Sequence, residues 1–446
     1  MIKTPDNVSN IDACCLSGDA LRGYAYRTTM CCAANLRLIS EIKTAMLEQS
    51  NRVICVIDPM STCMGGAMST WPLDILLYCV GSQGGRQKLE GLMDTFLLQL
   101  STRCHRPSRK KLEGILDGVK QKYIILMNVA QMYDFIGSAD FLMKYVKRGH
   151  VVLITGDTPL LLTYAMKTSL AGESVVLYTT PWLYDDVKSN IALSDYMQSG
   201  EYVMAPRSFF ISQLLHEVKM LKARNICSTP ELQQLFRMSF RRDALNFWLN
   251  GVHVVNRKNK LSETRVMLLG VLQELKLIGE LYTPQLKQTL YYPLQPRLCD
   301  VLTDIERGKH NTEALISDVI GGSVCEEAAV YLNVIEQAKR RGYTIMQYAD
   351  KDGYAVDLVV NKGNGNLLCI NVMHGSANVW NAKIRLLVDR RVLMRYCDPE
   401  YALGTAPISV TYVQVAKRFV QTNGLGAGIE CINYADFVAR LPEFLK

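Results

Sequence analysis

Two short runs, Ile124–Met127 and Val151–Ile154, are unbroken in apolar character and rich in β-branched residues. Each ends abruptly in polar residues, Asn128 after the first and Thr155-Gly156-Asp157 after the second. Between them Phe141, Leu142, Tyr145 and Val146 fall on one side of a helical spacing. Strand, helix and strand in that order, buried on both faces, predict a parallel α/β sheet. Ligands of such sheets sit at the carboxyl ends of the strands, so Asn128, Thr155 and Asp157 are expected to face a site.

Around this core the pattern changes period several times. Ala33, Leu36, Leu38, Ile39, Ile42 and Met46 form the apolar face of an early helix. Val53–Asp58 reads as a buried strand, followed by a loop with Gly65, Gly66, Ser69 and Thr70. Residues 84–122 read as a further helix and a basic connector from Arg103 to Lys111. After Pro181 the spacing is helical, with Ile211, Leu214, Leu215, Val218 and Leu221 on one face and an arginine-rich block over 230–250. Leu261–Pro284 predicts a helix capped by Ser262, with Val266, Leu268, Leu269, Leu272, Leu275 and Leu277 as its core. TLYYPLQ then reads as a strand. From Gly321 a helix (Cys325 to about Arg341) precedes strands at 344–348, 354–360 and 367–373, with a turn at Asp352-Gly353. The tail alternates in PISVTYVQV and IECINYADF, which are expected to complete that sheet. Its NGLGAGI lacks the strand-to-helix setting of a dinucleotide fingerprint.

Composition narrows the class without naming a chemistry. The chain has 446 residues, enough for two or three domains, and its 49% hydrophobic and 21% charged content describes a globular protein. A net charge of +8 is compatible with nucleic acid but diffuse. The polar N-terminus and the lack of any run of roughly 20 apolar residues predict a cytoplasmic protein with no membrane partner. Of fourteen cysteines only Cys14-Cys15 and Cys31-Cys32 cluster, and adjacent doublets are not zinc spacing. The scattered ones are expected to be small core residues.

The strand ends carry a resemblance. This order of modules resembles the prokaryotic AAA-type P-loop ATPases that continue through a winged helix into a PD-(D/E)xK nuclease-like domain. In that family the first run ends Asp-Glu-Ile-Gln, the second ends Thr-Gly-Ser, and a Leu-Ala-Gly-Arg segment follows. Here the same places hold Asn128-Val129-Ala130-Gln131, Thr155-Gly156-Asp157 and Leu170-Ala171-Gly172-Glu173. The phosphate loop would follow Asp58, yet no lysine stands between Asp58 and Trp71. In the nuclease-like part the helical acid maps to Glu326 and the strand acid to Asp357. The Glu-x-Lys place reads Asn371-Val372-Met373. Asparagine offers a metal only a neutral oxygen and methionine supplies no cation. His374 alternates to the face opposite Met373.

The resemblance therefore implies an α/β chain. A degenerate ATPase core would span 1–205, a helical lid and winged helix 206–310, and a nuclease-like domain 311–446. It implies a catalytically inactive paralogue working as a binding or scaffold protein through a protein partner or self-association, with DNA as a further partner. ATP and Mg2+ enter only as the family's cofactors, at the remnant Asp58, Gly65, Gly66, Asn128, Thr155 and Asp157. The alternative is an ATP-binding and hydrolysing protein that uses non-standard residues, with Asp58, Asp134 or Asp157 on the metal. Nucleic-acid candidates are Arg103, Arg106, Arg109, Lys110 and Lys111 of the connector and Arg265 of the predicted winged helix.

Overall fold

The computed structural model describes residues 13–17, 36–58, 71–81, 90–100, 107–132, 135–156, 158–179, 183–188, 192–199, 252–256, 261–274, 276–294, 322–352, 354–377, 389–399, 408–419 and 429–446. The expected helices at 211–221 and 230–250, the Gly65-Gly66 loop and the NGLGAGI turn lie outside them, as do Arg103, Arg106, Asp134 and Asp157. The chain forms two compact units, one from residues 1–180 and 204–240, the other from 181–203 and 241–446.

The first unit is built on six strands in the order β1-β3-β4-β5-β2-β6. They are β1 (Ala13–Ser17), β2 (Val53–Ile57), β3 (Thr95–Leu100), β4 (Tyr123–Met127), β5 (Val151–Thr155) and β6 (Ser174–Tyr178). β3, β4, β5, β2 and β6 run parallel, and β1 closes one edge antiparallel to β3. β2, β4 and β5 are buried at every position, as expected of strands covered on both faces. Cys55 of β2 is buried, and so is Cys79. One strand departs from the expected helix and connector over 84–122. TFLLQL forms β3, because a short, mainly apolar run fits either period and pairing with β4 decides it. β1 was also not expected from the polar opening; the unpaired edge of β3 recruits it.

The helices sort onto two faces. α1 (Leu36–Glu48) and α2 (Trp71–Gly81) pack on Ile54, Val56, Ile125 and Leu153. α3 (Arg109–Leu116) opens inside the basic connector, so Arg109, Lys110 and Lys111 sit on a helix. α4 (Pro159–Lys167), which leaves β5, packs against β2 but contributes nothing to the α1/α2 cluster. The connection leaving β2 thus starts on one face and that leaving β5 on the other. Adjacent strands whose crossovers diverge create a crevice at their carboxyl ends.

The second unit holds two sheets. β7 (His253–Asn256), β8 (Ile278–Thr283) and β9 (Gln288–Pro293) form an antiparallel sheet in the order β7-β9-β8 beside α5 (Glu263–Glu274). Ser262 caps α5, its Oγ accepting from the Arg265 amide at 3.4 Å. Leu268, Leu269, Leu272 and Leu277 are buried as expected, whereas Val266 is 52% exposed. It lies on the turn beside Arg265, away from the leucine stripe. Leu275 and the side chain of Met267 lie outside the described residues.

Next, α6 (Gly322–Arg340) leads into β10 (Thr344–Ala349), β11 (Ala355–Gly363) and β12 (Asn366–Ala377), an antiparallel meander. α7 (Arg390–Cys397) then crosses to β13 (Ser409–Phe419), which joins β12 in parallel, and β14 (Ile429–Asn433) adds to β13 in parallel. The tail completes the sheet, but IECINYADF is only half strand. Asn433 Oδ1 accepts from the Asp436 amide at 2.8 Å and starts α8 (Tyr434–Phe444), whose Phe437, Val438 and Leu441 are buried. α6 and α8 cover one face, through Ile335, Ile370, Val372, Val413 and Phe437, while α7 covers the other through Leu393, Met394 and Cys397.

β9 is tied to α6 by one polar knot. The Tyr292 hydroxyl donates to Glu336 Oε1 at 2.6 Å and accepts from Lys339 Nζ at 2.9 Å. Burial and the adjacent Glu336 carboxylate push the Tyr292 phenol well above its usual range. Tyr292→Phe should lower stability by roughly 1 kcal/mol in urea denaturation, since a charge-assisted bond is lost but no cavity opens. An unchanged midpoint would show the knot to be energetically idle. Among the described residues no helix is long and apolar enough to cross a membrane.

Candidate functional site

At the carboxyl ends of β2, β4 and β5 the chain gathers three of the residues expected there, Asp58, Asn128 and Thr155. Asp58, directly after β2, is 3% exposed and accepts from Thr179 Oγ1 at 3.1 Å. Asn128, directly after β4, adopts the left-handed backbone (φ 64°), which asparagine tolerates better than most residues. Its amide donates to the Thr155 carbonyl at 3.0 Å and its Nδ2 to the Leu100 carbonyl at 3.4 Å. Gly156 packs closely against that turn: a Cβ there would meet Asn128 Oδ1 at 3.1 Å and Cα at 3.2 Å, so the turn would have to give by a few tenths of an ångström.

Two hydroxyls at this edge have no hydrogen-bond partner among the described residues. Thr155 Oγ1 and Thr158 Oγ1 are both enclosed, their residues 1% and 3% exposed. Thr158 is the N-cap of α4 but makes no side-chain capping bond, and Pro159 follows at the first helical position. A buried hydroxyl without a partner costs free energy, so such groups mark places where a ligand or water can bind. Sequence reading found Thr155 but passed over Thr158 and Thr179; the Thr-Pro start of a helix was the available signal.

That set does not fit a triphosphate with its metal. Asp58, Asn128, Thr155 and Thr158 carry no positive charge, and the chain supplies no lysine between Asp58 and Trp71. The single carboxylate among them is already bonded to Thr179.

In the second unit the four positions expected for a nuclease-like centre fall on the expected elements, with Glu326 on α6, Asp357 on β11 and Asn371 and Met373 on β12. Their side chains are not gathered together. Glu326 pairs with Lys417 of β13 at 3.6 Å, its side chain 18% exposed. Desolvation raises the Glu326 carboxyl above its ordinary range, against the opposing pull of Lys417 and Arg418. Asp357 Oδ2 accepts from the Val372 amide at 2.8 Å. Val356 and Val359 belong to the α7 cluster, but Leu358 and Val360 belong to the α6 cluster. The alternation therefore slips beside Asp357, where the β10–β11 register also shifts.

Ile370 and Val372 lie in the α6 cluster, so Asn371 and Met373 alternate onto the α7 face. There Asn371 Nδ2 reaches Met373 Sδ at 3.6 Å. Val413 and Val415 of β13 are also in the α6 cluster, which places Lys417 on the α6 side with Glu326. The sheet thus stands between Glu326 and the Asn371–Met373 pair. On α6, Tyr331 is fully enclosed and pushed well above the usual phenol range by burial, then by the Asp357 and Glu327 charges. The Tyr434 hydroxyl donates to the Met373 carbonyl. The side chain of His374 lies outside the described residues. Lys417 was missed in the sequence, although the alternation Val413, Val415, Lys417 placed it on the helix-covered face.

These groups do not fit a divalent metal of the nuclease type. One acid is paired to an ammonium, another is bonded to a backbone amide, and the third place is a neutral carboxamide on the opposite face. Among the described residues no three His, Cys, Asp or Glu side chains are grouped to hold a metal ion.

Of the expected nucleic-acid residues, Arg109 is engaged within its own unit. Arg109 Nε donates to Glu113 at 2.8 Å, its guanidinium lies 3.5 Å from Asp140, and it sits over the Phe141 ring. Lys110 is exposed on the same helix, and Arg265 is half-buried at the start of α5. No known family model and no curated protein matches this chain.

Proposed function

We propose that the chain is a catalytically inactive, pseudoenzyme relative of the AAA-type P-loop ATPases with a nuclease-like domain, acting as a binding or scaffold protein that contacts DNA. Support for the ancestry comes from placement. The strand expected to lead into a phosphate loop, β2, lies beside the strand ending Thr155-Gly156, and Asn128 ends the next one over. The helix, strand and strand order from Glu326 to Met373 follows the order the resemblance implies.

The observation that carries the inactive reading is the state of the nuclease-like residues. Glu326 is held by Lys417, Asp357 is held by the Val372 amide, and Asn371 and Met373 face away. A hydrolytic centre needs carboxylates left available for a metal and a cation near the attacking water. The test is cleavage of supercoiled plasmid by purified full-length protein with Mg2+ or Mn2+. No nicking above a no-protein control is expected; metal-dependent nicking that Asp357→Asn abolishes would overturn the reading.

A second reading, ATP binding through non-standard residues, is favoured by the unpartnered Thr155 and Thr158 hydroxyls. Calorimetry with ATP, with and without Mg2+, separates the two. The inactive reading expects no heat at millimolar nucleotide. Micromolar affinity that requires Mg2+ and falls in Thr155→Val would establish the second.

A further inference from the structure

α7 was not among the nucleic-acid candidates of the sequence, yet it carries the most uncommitted positive charge on one described helix. Asp389 caps it, accepting from the Arg391 amide at 2.7 Å and the Val392 amide at 3.3 Å. Leu393, Met394 and Cys397 anchor its inner side on Val359, Leu367 and Cys369. Tyr396 fixes the C-terminal end, donating to the Gln347 carbonyl at 2.8 Å and meeting the Tyr348 ring edge-on at 5.0 Å between centroids. The helix is therefore a short, rigid ledge.

Its outer side presents Arg390, Arg391 and Arg395, all exposed, around Val392. None of the three makes an ion pair or a hydrogen bond to an acidic side chain among the described residues, while Arg37, Arg109, Arg148, Arg340 and Arg440 each do. The one acid at the N-terminal end, Asp389, is committed to backbone amides. Arg391 and Arg395 stand one turn apart on the same side, about 6 Å along the axis. Guanidinium forks match phosphate oxygens in geometry as well as charge.

We infer that the outer face of α7 docks the sugar–phosphate backbone of double-stranded DNA. The inference rests on the DNA-contact part of the proposed function and gives it a surface. Two features of the helix favour a duplex backbone over other anionic partners. Its apolar side is already buried in the sheet, and of its apolar residues only Val392 is exposed, too little to insert among lipid chains. No ring is exposed on its outer side, and Tyr396 is occupied inward, so the stacking platform that unpaired bases require is missing.

The test compares three full-length proteins by fluorescence anisotropy on a 24-base-pair duplex of random sequence (~24 is ample for one non-specific site) across a salt series. The first is wild type, the second carries R390Q, R391Q and R395Q, and the third carries R37Q, R52Q and R341Q. The third removes the same charge from exposed positions elsewhere, and circular dichroism checks that both variants keep their helix content. Expected is roughly tenfold or greater weakening for the α7 variant, with the log–log salt slope shallower by about two to three, and little change for the control. Equal weakening in both variants would assign the effect to net charge and overturn the inference. So would an α7 variant that binds like wild type, with the DNA-contact reading left standing. Wild type that binds no duplex at low salt removes that reading and this inference together. Equal loss of binding to anionic vesicles but not to DNA would assign the face to membranes instead.

Discussion

Gly91→Ala is expected to destabilise the first unit on the order of 3 kcal/mol, the upper part of the range for overpacking a filled interior. A Cβ at Gly91 would lie 2.1 Å from the Val80 carbonyl oxygen and 3.0 Å from its carbon. These are backbone atoms near the end of α2, so no rotamer change relieves the clash and either α2 or the turn into β3 must move. Both elements feed the buried face around Leu76, Leu92 and Leu97. Gly114→Ala is the counterpart. Gly114 is exposed within α3 with nothing within 4 Å of an added Cβ, so that change should stabilise by about 0.5–1 kcal/mol through helix propensity. Guanidinium denaturation of both variants decides the matter. Similar small shifts in the two would mean that the Val80–Gly91 approach is not tight.

Lys417→Met should produce the other large effect, and its size depends on pH. The Lys417 ammonium is the counter-charge for Glu326, a carboxylate already made reluctant to ionise by burial. Removing it leaves an uncompensated, partly enclosed charge at neutral pH. The cost is roughly 2 kcal/mol, below the 3–5 kcal/mol of a fully enclosed pair because both side chains keep some solvent contact. In the folded protein Glu326 holds its proton to higher pH than in the unfolded chain. The folded state therefore binds more protons between the two pKa values, and stability through this group falls as pH rises through the folded value. In Lys417→Met the folded value rises further, so the deficit should be large at pH 7 and shrink as pH drops toward the unfolded carboxylate range. Chemical denaturation at pH 7 and at pH 5 measures this. A deficit that stays constant between the two pH values would detach the effect from Glu326.

How much of this was legible in the sequence differs by element. The unbroken runs at β4 and β5, the alternating strands from Thr344 to Met373 and the Ser262 cap all carry their structure locally, and they form as read. β3 and β1 do not, because TFLLQL and ACCLS acquire a strand identity only from the neighbours they pair with. At the candidate sites the residue types were legible but their companions were not. Nothing near Glu326 in the chain points to Lys417, about ninety residues on. The slip of alternation at Asp357 is likewise invisible in the letters, since it arises from a shift of pairing with β10. The unpartnered hydroxyls of Thr155 and Thr158 are a property of burial, which periodicity does not report.

The position of β2 has a kinetic consequence. Ile54 pairs with Leu153 on one side and Val175 on the other, so the second strand to leave the ribosome waits for the fifth and sixth before it has any neighbour. The meander β10-β11-β12, by contrast, closes between strands that follow one another directly. Closing long loops before any contact compensates is slow. During synthesis the buried apolar strand VICVI must be shielded by something other than its own sheet. Refolding from denaturant should accordingly be biphasic, with the second unit recovering first and the first unit the more dependent on chaperones and on low protein concentration.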